Sequence, residues 1–109
     1  MPKYDLYEIP EVEIAPGIFA RFIHTENLTI AHFRIVEGSD LPNHSHPHEQ
    51  TANVITGEFE LTVDGEVHHL KPGMVFAIPS GVSHSGRALT NCQIIDVFHP
   101  VREDYRDLS

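Results

Sequence analysis

The sequence of 109 residues is long enough for one domain with a buried core, so neither a disulfide nor a metal ion is needed for folding. Its 16 acidic and 7 basic residues give a formal net charge of −9, which argues against non-specific nucleic-acid binding and against docking on an anionic membrane surface. The single cysteine, Cys92, excludes an internal disulfide, and its apolar surroundings predict a small buried side chain.

The chain begins with MPKYDLYEIP, which lacks the basic and then apolar pattern of a signal peptide. No apolar run is long enough to span a bilayer. These features predict a soluble, cytoplasmic protein.

Short β-type segments separated by turn residues occur between residues 17 and 70. Residues 17–24 and 28–36 are rich in β-branched and aromatic residues, which favour strands. Residues 58–63 alternate polar and apolar side chains, and the Asp64-Gly65 pair that follows is typical of a two-residue hairpin into residues 66–70.

The second half continues in the same way. We predict a buried strand at residues 74–78, after a Lys-Pro-Gly turn, and a last strong strand at residues 92–98. No stretch shows a 3.6-residue apolar period over helical length. The pattern therefore predicts an all-β sandwich or barrel formed by one domain, residues 1–109, with a polar C-terminal tail or short helical turn at residues 101–109.

Three histidines lie at alternate positions in the segment HSHPHEQ, residues 44–50. His44 and His46 are two residues apart, so on a strand both side chains project to the same face, and Gln50 can return to that face after a turn. A metal site needs three or four such donors, and His84, directly after a Pro-Ser-Gly turn, offers another. The alternative is that these histidines decorate an exposed loop, and spacing alone does not decide between the two.

The residues around these donors resemble the two cupin motifs. The first motif is matched by Gly38, His44, His46, Gln50 and Gly57, and the second by Gly73, Pro79, Gly81 and His84. The two matches lie in the right order and cover residues 38–88. The resemblance implies a single-domain cupin, a double-stranded β-helix or jelly-roll barrel, that binds one divalent metal ion through His44, His46, Gln50 and His84.

Cupins usually have a glutamate where this chain has Gln50. A site with three histidines and an amide carries no ligand charge, so a bound ion keeps its full charge and acts as a stronger Lewis acid. Zn, Ni, Mn and Fe all accept such donors, and the sequence does not distinguish them. We interpret His48 as a solvent-facing loop residue, with a pocket acid/base or an alternative ligand as the other interpretations, and Glu49 as a solvated or supporting carboxylate.

The last predicted strand adds further candidate residues. Asp96 and Phe98 are two positions apart and share a face, and a carboxylate on an apolar face is costly unless it meets a partner. The simpler interpretations are an ion pair of Asp96 with Arg34 or Arg87, a core position for Phe98, and a surface ion pair for Arg102.

The segment DVFHPVREDY, however, closely resembles the C-terminal strand and tail of the KdgF family, small cupins of pectin and alginate degradation that open 4,5-unsaturated uronate monomers. HSHPHEQ is similar to theirs as well, and the resemblance extends over nearly the whole chain. It implies that Asp96 is a general acid/base, that Arg102 binds the uronate carboxylate by a two-pronged hydrogen bond, and that Phe98 packs on the sugar.

Two other functions stay open. A cupin dioxygenase would use iron or copper held by the histidines, although an aspartate and an arginine suit a carboxylated sugar better than a phenol or a thiol. A non-catalytic module would only bind a sugar acid. We also expect a homodimer, with apolar strands such as residues 31–36 exposed to a partner, a small anionic sugar acid as substrate, and no nucleic-acid or membrane partner.

Overall fold

The computed structural model describes residues 1–108, which form ten β-strands and two short helical turns. The helical turns are a 3-10 turn at Leu6–Glu8 and α1 at Glu103–Arg106. The strands are β1 (Val12–Ala15), β2 (Ile18–His24), β3 (Thr29–Ile35), β4 (Asp40–His44), β5 (Glu49–Thr56), β6 (Phe59–Val63), β7 (Glu66–Leu70), β8 (Val75–Ile78), β9 (His84–Ala88) and β10 (Cys92–His99).

The strands form two antiparallel sheets that enclose the core. The larger sheet has the order β1-β2-β3-β10-β5-β8, and the smaller one has the order β4-β9-β6-β7. Along β10, burial alternates with the two-residue period of a strand, so that Cys92, Ile94, Asp96 and Phe98 point inward. The predicted all-β barrel is confirmed, and so is the burial of Cys92, which is a free thiol.

The hairpin between β6 and β7 turns at Asp64 and Gly65, as predicted. Both residues have positive φ, 49° and 79°, which is the backbone of a type I′ turn. Val63 pairs with Glu66 across the turn, and the register continues to Phe59 and Leu70.

Six of the ten strands coincide with predicted segments, whereas β1, β4, β5 and β9 were not predicted. The strand β4, with the sequence DLPNH, has no buried residue, and β9, with the sequence HSGRA, contains only one apolar side chain. Neither strand carries the apolar alternation on which a prediction depends.

The strand predicted at residues 74–78 forms at Val75–Ile78, but the prediction that it is buried was wrong. The strand β8 lies at the edge of the larger sheet and pairs only with β5. Val75 is 59% exposed, and within the strand only Ile78 is buried. An edge strand lacks a neighbour on one side, so apolar side chains there are covered less than their sequence pattern indicates.

The C-terminal segment packs against the barrel and is not a free tail. Arg102 is buried, and the Tyr105 ring stacks on Phe22 with 4.7 Å between ring centroids. The helical alternative for this segment is therefore correct for Glu103–Arg106, and Ser109 lies outside the described residues. Among residues 1–108, no helix has the length and apolar character needed to cross a membrane.

We expect Gly57→Ala to lower the free energy of unfolding by at least about 2 kcal/mol, because φ is +84° and an added Cβ would collide with the Asn91 carbonyl and with Cys92. Gly65→Ala is the matched control, since φ is +79° there and nothing lies within 4 Å of the added Cβ. Urea unfolding of both variants measures the difference, and equal losses would contradict a steric role for Gly57.

Candidate metal centre and adjoining cavity

Three imidazoles meet at one end of the barrel. His44 on β4 and His84 on β9 are direct partners across these paired strands, with 4.2 Å between ring centroids. His46 follows β4 in the loop that leads to β5, and one ring nitrogen from each of the three histidines lies within 4.8 Å of the others. The exposed-loop interpretation is therefore wrong, since His84 is only 1% exposed and the other two are half-buried.

Each imidazole is oriented by a hydrogen bond to a backbone carbonyl. The acceptors are the carbonyls of Pro42 (2.8 Å from His44 Nδ1), His48 (3.0 Å from His46 Nδ1) and Val82 (3.0 Å from His84 Nδ1). A carbonyl only accepts, so each Nδ1 carries a proton, and in the neutral ring Nε2 then carries a lone pair. Protein metal sites commonly orient their histidine ligands in this way.

His46 and His84 are kept in the neutral state that a metal requires. Burial lowers the pKa of both His46 and His84, and the nearby Arg102 charge lowers both further. Both imidazoles are therefore neutral at pH 7. The buried Nε2 of His84 has no hydrogen-bond partner among the residues described, which leaves a lone pair that a bound cation would satisfy. This donor set fits a divalent transition-metal ion.

Gln50, at the start of β5, lies beside this cluster and is 6% exposed. Its Oε1 is 3.0 Å from His46 Nε2, and its Nε2 donates a hydrogen bond of 2.8 Å to Asp96 Oδ2. The four predicted metal ligands thus lie together, and Gln50 connects them to Asp96.

Asp96 is buried in the core and forms neither of the ion pairs that were considered for it. Arg34 instead binds Glu11 through two hydrogen bonds of 3.0 Å, and the Nε of Arg87 lies 3.8 Å from a carboxylate oxygen of Asp40.

Burial raises the pKa of Asp96 from its ordinary 3.8 to about 7, although the hydrogen bond from Gln50 and the charge of Arg102 oppose the increase. Its Oδ1 is buried and has no hydrogen-bond partner in residues 1–108. The carboxyl group therefore has one oxygen fixed by Gln50 and one oxygen available for a ligand.

Arg102 is 7% exposed and lies against two aromatic rings, with Cζ 4.8 Å from the Phe98 centroid and 4.0 Å from the Tyr105 centroid. Its Nε and Nη2 donate to the two carboxylate oxygens of Asp104 at 2.9 and 2.7 Å. The buried Nη1 has no acceptor within the part of the chain that is described. A bound carboxylate would therefore use Nη1, alone or with the second N–H of Nη2.

These groups line one cavity between the sheets. Its polar wall consists of His44, Ser39, Gln50, His84, Asp96 and Arg102. Its apolar wall includes Phe33, Phe59, Leu61, Ile94, Phe98 and Tyr105. All three predicted catalytic residues lie on this cavity together with three of the four predicted metal ligands.

His48 is not the solvent-facing residue that we expected. Its ring is half-buried and meets the His46 ring edge-on, with 5.5 Å between centroids, and its carbonyl orients His46. Glu49 is exposed, as expected for a solvated carboxylate.

Sequence reasoning missed Asp104 and Tyr105. Both lie in the segment REDYRD, where charges at one- and two-residue spacing look like an ordinary solvated turn. The only available signal was the tyrosine three residues after Arg102, a separation that a single helical turn closes.

Comparison with known proteins identifies similar chains. The cupin domain family matches residues 31–98. The pectin degradation protein KdgF of Dickeya dadantii is 30% identical over 101 residues, which cover 90% of this chain and 92% of that protein. The solved structure of KdgF from Halomonas sp. superposes with a TM-score of 0.90 at 30% identity and covers 96% of this chain and 98% of that one.

An L-ectoine synthase of Marinomonas sp. is 34% identical over 68 residues, or 61% of this chain. The match spans only about half of that enzyme's length, 53%. The likeness to KdgF, in contrast, extends over nearly the whole of both proteins.

We expect Zn²⁺ to raise the melting temperature of the protein, because an ion that binds only the folded state stabilises it by about 2.7 kcal/mol at a hundred times its Kd. His84→Ala should remove most of this increase by deleting a buried donor. His69→Ala is the matched control, since that side chain is half exposed and pairs with Glu58 away from the cluster. Thermal unfolding with and without Zn²⁺ tests this, and an equal increase in both variants would contradict it.

The burial of Asp96 makes the stability of the metal-free protein depend on pH. Between pH 4 and 7 the unfolded chain has lost a proton that the folded chain retains on Asp96, so the contribution of Asp96 to stability falls as the pH rises and levels off above about 7. The difference between the two pKa values corresponds to about 4 kcal/mol.

Asp96→Asn removes this ionisation. We therefore expect the metal-free variant to be more stable than the original chain at pH 8, and to lose that advantage at pH 5. Urea unfolding of both proteins at the two pH values measures the effect. A stability difference that is the same at both would contradict the raised pKa.

Proposed function

Because the chain belongs to the cupin family and is a relative of the pectin degradation protein KdgF, we propose that it opens and ketonises 4,5-unsaturated uronate monomers derived from pectin or alginate. One observation carries the proposal. A single cavity brings a buried carboxyl group and a buried guanidinium beside the three-histidine cluster, as the reaction of a carboxylated sugar requires.

The reaction consists only of proton transfers and bond rearrangement. Removal of the proton from the anomeric hydroxyl lets C1 form an aldehyde while the bond from C1 to the ring oxygen breaks. The electron pair stays on that oxygen as the enolate of C5. Protonation at C4 then gives the linear 4-deoxy-5-keto acid. Nothing is oxidised or reduced, so the reaction is an isomerisation that needs no redox cofactor.

Asp96 is the proposed general acid/base. Its Oδ1 has no partner in the described chain and its side chain lines the cavity, so a substrate proton would have an acceptor there. The same carboxyl group would return a proton to C4 after ring opening. The hydrogen bond from Gln50 fixes the other oxygen and thereby the orientation of the carboxyl group.

Arg102 and Phe98 are the proposed binding residues for the uronate. Arg102 offers its free Nη1 to the substrate carboxylate, and its local positive charge would offset the net charge of −9 that opposes anionic ligands. Phe98, 2% exposed, presents its ring to the cavity between Arg102 and His46, where it would pack on an apolar face of the sugar.

A divalent ion held by His44, His46, Gln50 and His84 would act as a Lewis acid that polarises substrate oxygens and stabilises the developing enolate.

The two alternatives predict different behaviour. A dioxygenase would consume oxygen when the iron-loaded protein meets phenols or thiols, whereas the proposed isomerase would not. A non-catalytic module would keep its ligand in the Asp96→Asn variant and would have no turnover to lose. The buried arginine beside Asp96 favours a carboxylated ligand over a phenol.

The decisive assay follows the ultraviolet absorbance of the 4,5-unsaturated monouronate released by a polysaccharide lyase. We expect the Zn²⁺-loaded protein to accelerate its loss, and Asp96→Asn to lower kcat at least about 100-fold because a general acid/base is removed. Chelated protein should lose the same activity. Asp64→Asn, an exposed aspartate in the β6–β7 hairpin, is the control that keeps it.

NMR identifies the product as the linear keto acid. A rate equal to that of the spontaneous reaction would discard this function and leave the metal-binding cupin unaffected. Oxygen uptake with iron-loaded protein would then be the next measurement.

The homodimer stays a prediction, and one reason for expecting it was wrong. Of the apolar side chains in residues 31–36, those of β3 (Ala31, Phe33 and Ile35) are buried in the core, and only Val36, after the strand, is exposed. Sedimentation analysis decides the oligomeric state.

A further inference from the structure

The side-chain amide of Gln50 lies between two hydrogen-bond acceptors, and its NH₂ group can face only one of them. On one side, Asp96 Oδ2 accepts a hydrogen bond of 2.8 Å from Gln50 Nε2. On the other side, Gln50 Oε1 is 3.0 Å from the Nε2 of His46. That nitrogen carries a lone pair, because His46 Nδ1 donates its proton to the His48 carbonyl. Two acceptors, Gln50 Oε1 and His46 Nε2, therefore face each other.

Such an arrangement is unfavourable unless a cation attracts both lone pairs. The amide could avoid it by turning over, which would point its NH₂ group at His46 and its oxygen at Asp96. With Asp96 ionised, that orientation is worse, because an amide oxygen would then meet a carboxylate oxygen inside the core, where both atoms are desolvated. The carboxylate thus decides which end of the amide faces the histidines.

We propose that Asp96 is a positioning residue for the metal centre, which holds Gln50 with its oxygen directed at the three histidines. The proposal depends on the metal centre and does not depend on the uronate reaction. It gives Asp96 a second role, independent of any proton transfer to a substrate.

The pair also accounts for the amide at a position where cupins usually carry glutamate. With Asp96 ionised, a carboxylate at position 50 would have no proton to donate to it, and two carboxylate oxygens would lie about as close as the present 2.8 Å hydrogen bond. Gln50 and Asp96 therefore form a matched donor and acceptor. A charged ligand at position 50 requires a donor, not an acceptor, at position 96.

The first test compares the Zn²⁺ affinities of Asp96→Asn and Asp96→Ala, measured by competition with a colorimetric chelator. Both variants lack the negative charge, but only asparagine retains an oxygen that can accept from Gln50 Nε2. We expect the alanine variant to bind Zn²⁺ about 10-fold more weakly than the asparagine variant, or weaker still, as is typical when a group that orients a ligand is removed.

Cys92→Ala is the matched control, because Cys92 is also buried and lies on the same face of β10. Its Zn²⁺ affinity should equal that of the original chain within about threefold, which is well inside the expected effect. Equal affinities of Asp96→Asn and Asp96→Ala would overturn the proposal, since the hydrogen bond would then contribute nothing. A loss in Cys92→Ala as large as that in Asp96→Ala would also overturn it.

A second test exchanges the donor and the acceptor, and it decides the question alone if Asp96→Ala does not fold. At pH 8, Gln50→Glu should lower the melting temperature of the metal-free protein, because two carboxylates then face each other. The double variant Q50E/D96N should recover most of that loss, because the side-chain amide introduced at position 96 donates to the new carboxylate. Additive effects of the two substitutions would show that the residues are not a pair.

Discussion

The pairing of β5 with β10 is the constraint on which the site depends. Its antiparallel register sets Gln50 opposite Phe98 and Ala52 opposite Asp96, with both inward faces directed at the cavity. Because side chains alternate along a strand, a slip of one residue would turn Asp96 out of the core. The same strand pairs with β3 on its other side, so β10 is central in the larger sheet and its register is fixed from both edges.

The apolar interior of the barrel strengthens the electrostatic interactions of the polar groups that line the cavity. It also raises the free-energy cost of burying them. The carboxyl group of Asp96 is nearly buried and ionises near neutrality because water does not solvate it. The buried charge of Arg102 is compensated by Asp104 and by two aromatic rings. Each of these polar side chains therefore makes some of its hydrogen bonds within the fold. One atom of each, Asp96 Oδ1, Arg102 Nη1 and His84 Nε2, is left without a hydrogen-bond partner among the described residues. Such a pattern favours binding over maximal stability.

The sequence predicted most of the apolar framework and named residues that the fold brings together around one cavity, but it did not predict the strands that carry the histidines. The strands β2, β3 and β10 alternate clearly, whereas β4 and β9 are strands only because they pair with each other and because β9 also pairs with β6. His44 and His84 come together only through the pairing of β4 with β9, which no local sequence pattern predicts. The orientation of Gln50 depends likewise on Asp96, which is 46 residues away. Resemblance to the two cupin motifs supplied what periodicity could not, and it still missed Asp104.

The candidate ligands come from both layers of the fold. His44 and His84 belong to the smaller sheet, whereas Gln50 belongs to the larger one. An ion held by all of them would cross-link the two sheets at the open end of the barrel, much as a disulfide ties two segments of a chain. Local separation of the sheets would then require the ion to dissociate, so its binding free energy would add to the cost of opening. Metal occupancy would in this way govern how often the cavity opens to solvent.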